Sequence, residues 1–373
     1  HALARIAEEA ERVGDLRPDH AGAGARVLDQ ATALEWIDEN VEGGSSSLAG
    51  RMLAVAVAMV CGVPAGRLSA AALVFVFAID PAMVGDRLAV EGFGPGNTLS
   101  SLGELGTDAI LQQHVRGGND LLVHGLAERL VEGTIVLGSS LTSLGTDDDG
   151  VYARFDNGVD VRADTVVLAI PLAALREIGL EDAHLSESRR RAIRELSVMG
   201  QNTKLLIGLD GPPSELPTWP GHLLDLDEPP IAIWDTTSAQ PGPGGVLTVF
   251  TGDEIFPASE AHAEGSPAVI EQALWRLERL VPGVRERFNG RAWLDSWPHD
   301  PWTRGSYLGF GPGQYTRYWG LLASPEGRIH FAGEHTSTFG QGYLDGAIES
   351  GERAARQLLD DFGLRIEEPV RLR

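Results

Sequence analysis

Cysteine, lysine and long apolar runs are the scarcities of this 373-residue chain. With Cys61 its sole cysteine, it can form no intrachain disulfide and no cysteine-rich metal site. The longest apolar stretches, Met52 to Val60 and Leu68 to Ile79, fall short of the roughly 20 residues that span a bilayer, and read as core helices. Positive charge is short as well: 30 Lys+Arg stand against 53 Asp+Glu, and a net charge of -23 argues against nucleic acid or an anionic membrane as partner. No G-x-S-x-G elbow, H-E-x-x-H helix, EF-hand loop or Walker A loop occurs. The dinucleotide fingerprint G-x-G-x-x-G is missing after any strand. Its nearest strings, GAGARV at Gly22 and GFGPGN at Gly92, read as turns. Ten scattered histidines, with His330 and His335 five residues apart, give no metal-ligating pattern. There is no N-terminal signal pattern, so a cytoplasmic location is expected. The chain starts at His1 inside an amphipathic helix, which reads as a cut end.

What is present suits a large α/β (α+β) protein. The length exceeds the usual limit of one core and predicts two domains. Helices are predicted for Leu3 to Val13, Ala31 to Glu39 and Leu48 to Val60, separated by GAGA and EGGSSS breaks. The glycine-rich run from Gly92 to Gly106 reads as a long surface loop, a plain connector in preference to a site-lining lid. From Val115 the pattern changes: a turn and helix in VRGGNDLLVHGLAERL, a short strand from Thr134 to Gly138, then a β-meander turning at Asp149-Gly150 and Asn157-Gly158. VVLAI before Pro171 is a buried strand with a hard stop. A helix from Ser186 to Leu196, strands in TKLLIGL, IAIWDT and VLTVF, a helix from Pro267 to Leu280 and the strand RAWLDSW complete the pattern.

Residues 328–359, RIHFAGEHTSTFGQGYLDGAIESGERAARQLL, hold the most chemistry. Ile329 to Ala332 is a buried strand, Gly333 and Glu334 stop it, and Gly340 and Gly342 let backbone come close to something before Tyr343 opens a helix. The free N–H groups at such a helix start attract an anion or an electron-rich ring edge, which suggests a nucleotide cofactor. The same residues also suit a tightly packed strand, turn and helix without ligand. Lys204 is the only lysine, at the start of TKLLIGL; chance explains it, or a task that needs a compact ammonium of adjustable pKa.

With these pieces assembled, the chain resembles the flavin-containing amine oxidases, the monoamine, polyamine and L-amino-acid oxidase group. FAGEHTSTFGQGYLDGAIESGERAA is similar to that family's closing flavin-binding motif, and VRGGNDLLVHGLAERL, ADTVVLAIPLAALREI, the strand with Lys204 and WPHDPWTRGSYLGFGPGQYT occur in the family's order. The resemblance implies a two-domain fold: a discontinuous substrate domain of mixed sheet and helices (1–114 and 193–299), an incomplete FAD-binding domain (115–192 and 300–361) and a tail (362–373). It implies that Lys204 holds a water against flavin N5 and that Tyr307 and Tyr343 flank the substrate amine. It implies further that Leu141, Trp297, Ser306, Gly333, Glu334, Gly342, Tyr343 and Leu344 surround the FAD. Ser306 stands where mammalian monoamine oxidases carry the flavin-linking cysteine, so FAD is expected to be noncovalent.

The implied reaction passes hydride from the amine-bearing carbon to flavin N5. O2 then reoxidises the flavin, giving imine and aldehyde, ammonia and H2O2. Partners are a small-molecule amine or amino acid, O2, and a second chain or associated piece supplying the absent dinucleotide-binding βαβ unit; the alternatives for that absence are a processed precursor or an incomplete sequence. An L-amino-acid oxidase, with Arg116 or Arg304 as candidate carboxylate ligands, and a non-enzymatic pseudo-oxidase subunit are the competing readings.

Overall fold

The computed structural model describes residues 2–14, 16, 21–77, 115–196, 199–227, 229–238, 240–252, 263–338 and 340–364. The glycine-rich run from Gly92 to Gly106 lies outside them. Five helices open the chain: α1 (Ala2–Val13), α2 (Ala23–Leu28), α3 (Ala33–Asn40), α4 (Leu48–Cys61) and α5 (Ala70–Phe77). Each boundary has a local cause. Thr32 and Glu35 form a reciprocal capping box on α3, Ser47 accepts from Gly50 N–H at the start of α4, and Gly62, at φ 65°, ends α4 in the left-handed region. In α4 the buried positions Leu53, Val57 and Cys61 recur at helical spacing.

Further along come β1 (Leu141–Asp147), β2 (Gly150–Phe155) and β3 (Asp160–Ala163), an antiparallel meander with its turns where the Asp-Gly and Asn-Gly pairs predict them. They are preceded by helix α6 (Asp120–Ala127) and followed by β4 (Val166–Leu168) and α7 (Glu187–Glu195). A six-stranded antiparallel sheet has the order β6-β7-β8-β5-β10-β9, made of β5 (Thr203–Leu209), β6 (His222–Asp225), β7 (Ile231–Asp235), β8 (Gly245–Thr251), β9 (Ala263–Glu264) and β10 (Phe288–Ser296). Helix α8 (Pro267–Leu280) covers one face. Leu274, Leu277 and Val269 pack there with Leu205, Ile207, Ile233 and Val249 as one core. Helix α9 (Tyr315–Leu322), β11 (Ile329–Phe331) and α10 (Leu344–Asp361) close the described chain. Strand β11 pairs in parallel with β4, Ile329 opposite Val166, and these strands join helices α1 to α5 and α9 in a second core.

Three elements depart from the sequence expectations. GAGARV is helix α2 rather than a turn: burial of Ala25 and Leu28 outweighs the cost of a helical Gly24, whose missing Cβ leaves room for Val13 Cα, 3.1 Å from where that atom would stand. Thr134 to Gly138 is not a strand. Among the described residues it has no ladder partner, and its β-branched side chains lie open, with Val136 72% exposed. Helix α9 was not legible, because YTRYWGLL is rich in aromatic residues of low helix propensity. Burial holds it instead, with Tyr315 and Trp319 rings 4.9 Å apart and both inaccessible.

Candidate active site

Strand β11 delivers the chain into a turn built on glycine. Gly333 has φ 109°, and a Cβ there would stand 2.7 Å from the His335 ring. The turn closes tightly on the first turn of α10, since a Cβ on Gly346 would meet the Gly340 carbonyl oxygen at 1.9 Å. Gly333 N–H donates to Ser350 Oγ at 2.9 Å and Gly340 N–H to Ser337 Oγ at 3.0 Å, tying strand end, turn and helix together. Helix α10 begins after Tyr343 with no side-chain cap, and Tyr343, Leu344 and Ile348 are more than half exposed at that end. Uncapped N–H groups beside exposed apolar surface fit the ring of a flavin: the dipole end suits an electron-rich edge and the side chains suit a flat apolar face.

A second group of segments meets this turn. Residues 199–202, just before β5, lie antiparallel to 306–308: Gly200 N–H donates to Tyr307 O at 2.6 Å and Ser306 N–H to Gly200 O at 2.9 Å. The end of α4 joins them through Gln201 N–H to Gly62 O at 2.8 Å. Asn202, only 1% exposed, donates to Met59 O at 2.9 Å and accepts from the Ser306 hydroxyl. Gly62 is required here, because a Cβ would stand 2.1 Å from Asn202 Oδ1.

Tyr307 thereby faces the glycine turn, with its ring 3.7 Å from where a Gly342 Cβ would stand. Burial pushes its phenol up to about 12, with Tyr343, Glu334 and Cys61 adding in that order. Burial likewise raises the Glu334 carboxyl, opposed by the Gly342 N–H that donates to it. The Cys61 thiol is pushed up to about 12 by burial. It is therefore a neutral, inert lining group at ordinary pH. Lys204 is half-buried on β5, opposite Asp295 on β10 and Phe250 on β8. Burial lowers its ammonium pKa, against the opposing pull of Asp295. His335, inside the turn, is pushed down to about 4 by burial and then by Arg189 and Arg353, so it stands neutral.

The structure gathers Tyr307, Gly342, Tyr343, Leu344, Glu334 and Gly333 at one place, with Ser306 directly behind Tyr307. Trp297 sits in the short turn after β10, where its carbonyl accepts from Thr303 Oγ1 at 3.3 Å. Leu141 lies apart, at the first position of β1 on the meander, paired with Phe155. Arg304 pairs with Glu177 at 3.4 Å, and Arg116 is exposed. Sequence reasoning missed Asn202, Gly62 and Cys61. Glycine after an apolar helix is a stop signal that marks Gly62, but nothing in one sequence joins Asn202 to Ser306 across 104 positions. Among the described residues no group of His, Cys, Asp and Glu could hold a metal, and no helix is long and apolar enough to cross a membrane.

Known proteins share this architecture. The fold is similar to wild-type putrescine oxidase bound to putrescine (TM-score 0.77, 22% identity, 96% of this chain and 74% of that one). It is similar also to cyclohexylamine oxidase from Brevibacterium oxydans (TM-score 0.76, 21% identity, 97% and 74%). In sequence it is 27% identical to a probable flavin-containing monoamine oxidase A of Dictyostelium discoideum, over 94% of this chain and 72% of the relative. A putative L-amino-acid oxidase of Bacillus subtilis is 24% identical over 65% of this chain, and there the match spans 52% of the relative's length. These structural likenesses define the fold. The family model described as flavin containing amine oxidoreductase matches residues 29–359, and the chain belongs to that family, whose cofactor is FAD.

Proposed function

We propose that this chain forms the flavin-ring and substrate part of an FAD-dependent oxidase of amines. The observation that carries the reading is the meeting of Tyr307, Gly342, Tyr343 and Glu334 at the uncapped start of α10, on the strand path that leads to the only lysine. FAD, when bound, would supply the two-electron acceptor for amine oxidation and the reductant for O2, with imine, which water converts to aldehyde and ammonia, and H2O2 as products. The chain's own work is positioning. Tyr307 and Tyr343, protonated at ordinary pH, would orient the amine lone pair between their rings, and Lys204 would hold a water where O2 reacts. Gly333, Glu334, Gly342 and Leu344 would hold the ribityl chain and ring edge, with Trp297 toward the ring and Leu141 toward the adenine. The Ser306 hydroxyl, engaged by Asn202, is a support for Tyr307, and because a hydroxyl cannot form the thioether that a cysteine would form here, FAD is held noncovalently. The proposed division gives 1–114 with 193–299 to substrate and 115–192 with 300–361 to FAD, and each part contributes to the site: Lys204 and Trp297 from the first, Tyr307 and Tyr343 from the second.

The FAD half of the site needs a complement. Leu121, Leu122, Val123, Leu126, Leu130, Val131, Ile135, Val136 and Leu137 are 42% to 86% exposed, and α6 buries no residue. Exposed apolar side chains in such number are costly in water and call for cover. The two-stranded parallel β4–β11 pair calls for more strands. A βαβ unit supplied by a preceding segment or a separate polypeptide answers both needs. The test is an absorption spectrum of the chain with FAD, alone and with such a unit added. Flavin bands at about 380 and 450 nm that co-purify and bleach under nitrogen with an amine support the proposal. A chain that stays colourless in both mixtures overturns it in favour of a non-enzymatic scaffold.

A further inference from the structure

Residues 306–308 run antiparallel beside 199–202, and along extended chain successive side chains point to opposite sides. The Ser306 hydroxyl turns one way, to Asn202 Oδ1, and the Tyr307 ring turns the other, toward Gly342. Whatever fixes Ser306 therefore fixes the direction of Tyr307. The backbone alone is a weak guide here. The pairing of Met199 with Leu308 is an isolated bridge, outside any sheet, and so short a ladder has little stability of its own. Just before it Gly305, at φ 153°, is packed so closely on Met199 that a Cβ would stand 2.0 Å from the Met199 Cβ. A strand that starts at a glycine and is held by one bridge needs a side chain to brace it.

Asn202 is that brace. Its Nδ2 donates to Met59 O on α4 at 2.9 Å, its Oδ1 accepts from the Ser306 hydroxyl, and its backbone N–H makes a longer bond, 3.4 Å, to the same hydroxyl oxygen. An amide anchored at one end on a helix backbone and at the other on the Tyr307 strand has its orientation set by both, and at 1% exposure water does not compete for either bond. On the other side Gln341 Nε2 donates to Leu308 O at 3.2 Å, which ties the same strand to the glycine turn. We propose that Asn202 is a positioning residue for amine oxidation: acting through the Ser306 hydroxyl, it sets the Tyr307 ring against the Gly342 backbone at the spacing the substrate nitrogen requires. This rests on the amine-oxidase reading above. A displacement of roughly 1 Å at a reacting centre costs on the order of a hundredfold in rate. Loss of the brace should thus appear in the limiting rate of oxidation more than in substrate affinity.

One readout needs no turnover. Fluorine NMR of the full chain labelled with fluorotyrosine reports its five tyrosines, and Tyr307→Phe identifies the Tyr307 signal. Asn202→Ala and Ser306→Ala should each shift or broaden that signal while those of Tyr152 and Tyr318 stay in place, and the double variant should match Asn202→Ala. The second readout uses the chain loaded with FAD, with the complementing unit where loading requires it, mixed anaerobically with benzylamine or putrescine, whichever bleaches the wild type faster. Asn202→Ala should lower the limiting bleaching rate by about tenfold to a hundredfold, with KM changing less, and the double variant should be no slower, because both substitutions cut one path. Asp225→Asn, which weakens the pair joining β6 to Arg276 on α8, should lower the melting temperature and leave both readouts as in wild type, separating position from stability. Should Asn202→Ala fail to fold, Ser306→Ala decides by the same measures. A Tyr307 signal unmoved in Ser306→Ala, or a limiting rate unchanged in the variants that fold, overturns this inference alone. A wild type that neither amine bleaches overturns the oxidase reading, and the fluorine spectra then decide by themselves whether Asn202 sets the Tyr307 ring.

Discussion

Asn202 tests whether the junction behind Tyr307 is a connected polar unit. Its amide joins Met59 O to the Ser306 hydroxyl in a place closed to water. In Asn202→Ala the Met59 carbonyl and the Ser306 hydroxyl both lose a partner, and each buried orphan costs about 1–3 kcal/mol, so the variant should lose about 2–5 kcal/mol. Ser306→Ala takes the donor from Asn202 Oδ1 and the acceptor of the long 3.4 Å bond from Asn202 N–H, and should lose about 1–3 kcal/mol. In the double variant the hydroxyl that Asn202→Ala would strand is already gone, so the losses should fall short of additivity by about 1 kcal/mol or more. Asn202→Asp should do no better than alanine, because a carboxylate oxygen would replace the donor facing Met59 O. Urea unfolding of the four proteins, wild type included, measures the cycle. Losses that add to within about 0.5 kcal/mol would refute the coupling and leave Asn202 as filling alone.

Other outcomes follow from single groups. Gly346→Ala should abolish FAD binding and lower the melting temperature, because its Cβ would meet backbone oxygen of Gly340 at 1.9 Å; near wild-type melting and affinity would show that the turn adapts. Lys204 is depressed below its ordinary 10.5 by burial. The folded state therefore penalises its charged form at neutral pH, and the penalty fades as pH rises toward the unfolded value. Lys204→Met should thus melt higher than wild type at pH 7, a gain shrinking toward pH 10.5, while flavin reoxidation by O2 slows. His335, pushed from 6.5 to about 4, binds its proton in the unfolded chain first. Stability should fall as pH drops from 6.5 toward 4, by about 3 kcal/mol at the lower end, and urea midpoints of His335→Gln should lack most of that slope. Arg189, 1% exposed, donates to Leu321 O, Leu322 O and Ser324 O and pairs with Glu326. Arg189→Met should cost about 3–5 kcal/mol in the same assay, since it takes the ion-pair partner from Glu326, which keeps only its Ser186 donors, and the donor from three carbonyls.

Much of the architecture was legible where local chemistry suffices. Amphipathic spacing located α1, an apolar run after the EGGSSS break located α4, Asp-Gly and Asn-Gly placed the meander turns, and the run from Arg328 to Leu359 announced strand, glycine turn and helix. The errors came where partners decide. Thr134 to Gly138 has strand composition, yet a strand exists only when another chain segment takes its hydrogen bonds. YTRYWGLL is a poor helix by itself and a good one inside a core. The candidate site divides the same way. Gly342, Tyr343 and Leu344 are contiguous and readable as a helix start, and Lys204 stands out by its rarity.

The amino-acid sequence by itself determined the family, the glycine turn and the identity of the side chains that could meet a flavin, because those depend on composition and short-range order. Tertiary structure alone decided that Tyr307 faces Gly342, that Asn202 and Gly62 lock it from behind, and that Asp295 and Phe250 stand opposite Lys204. Those relations are set by strand register and by backbone contact between segments more than a hundred residues apart, and such distances are created only when the chain folds.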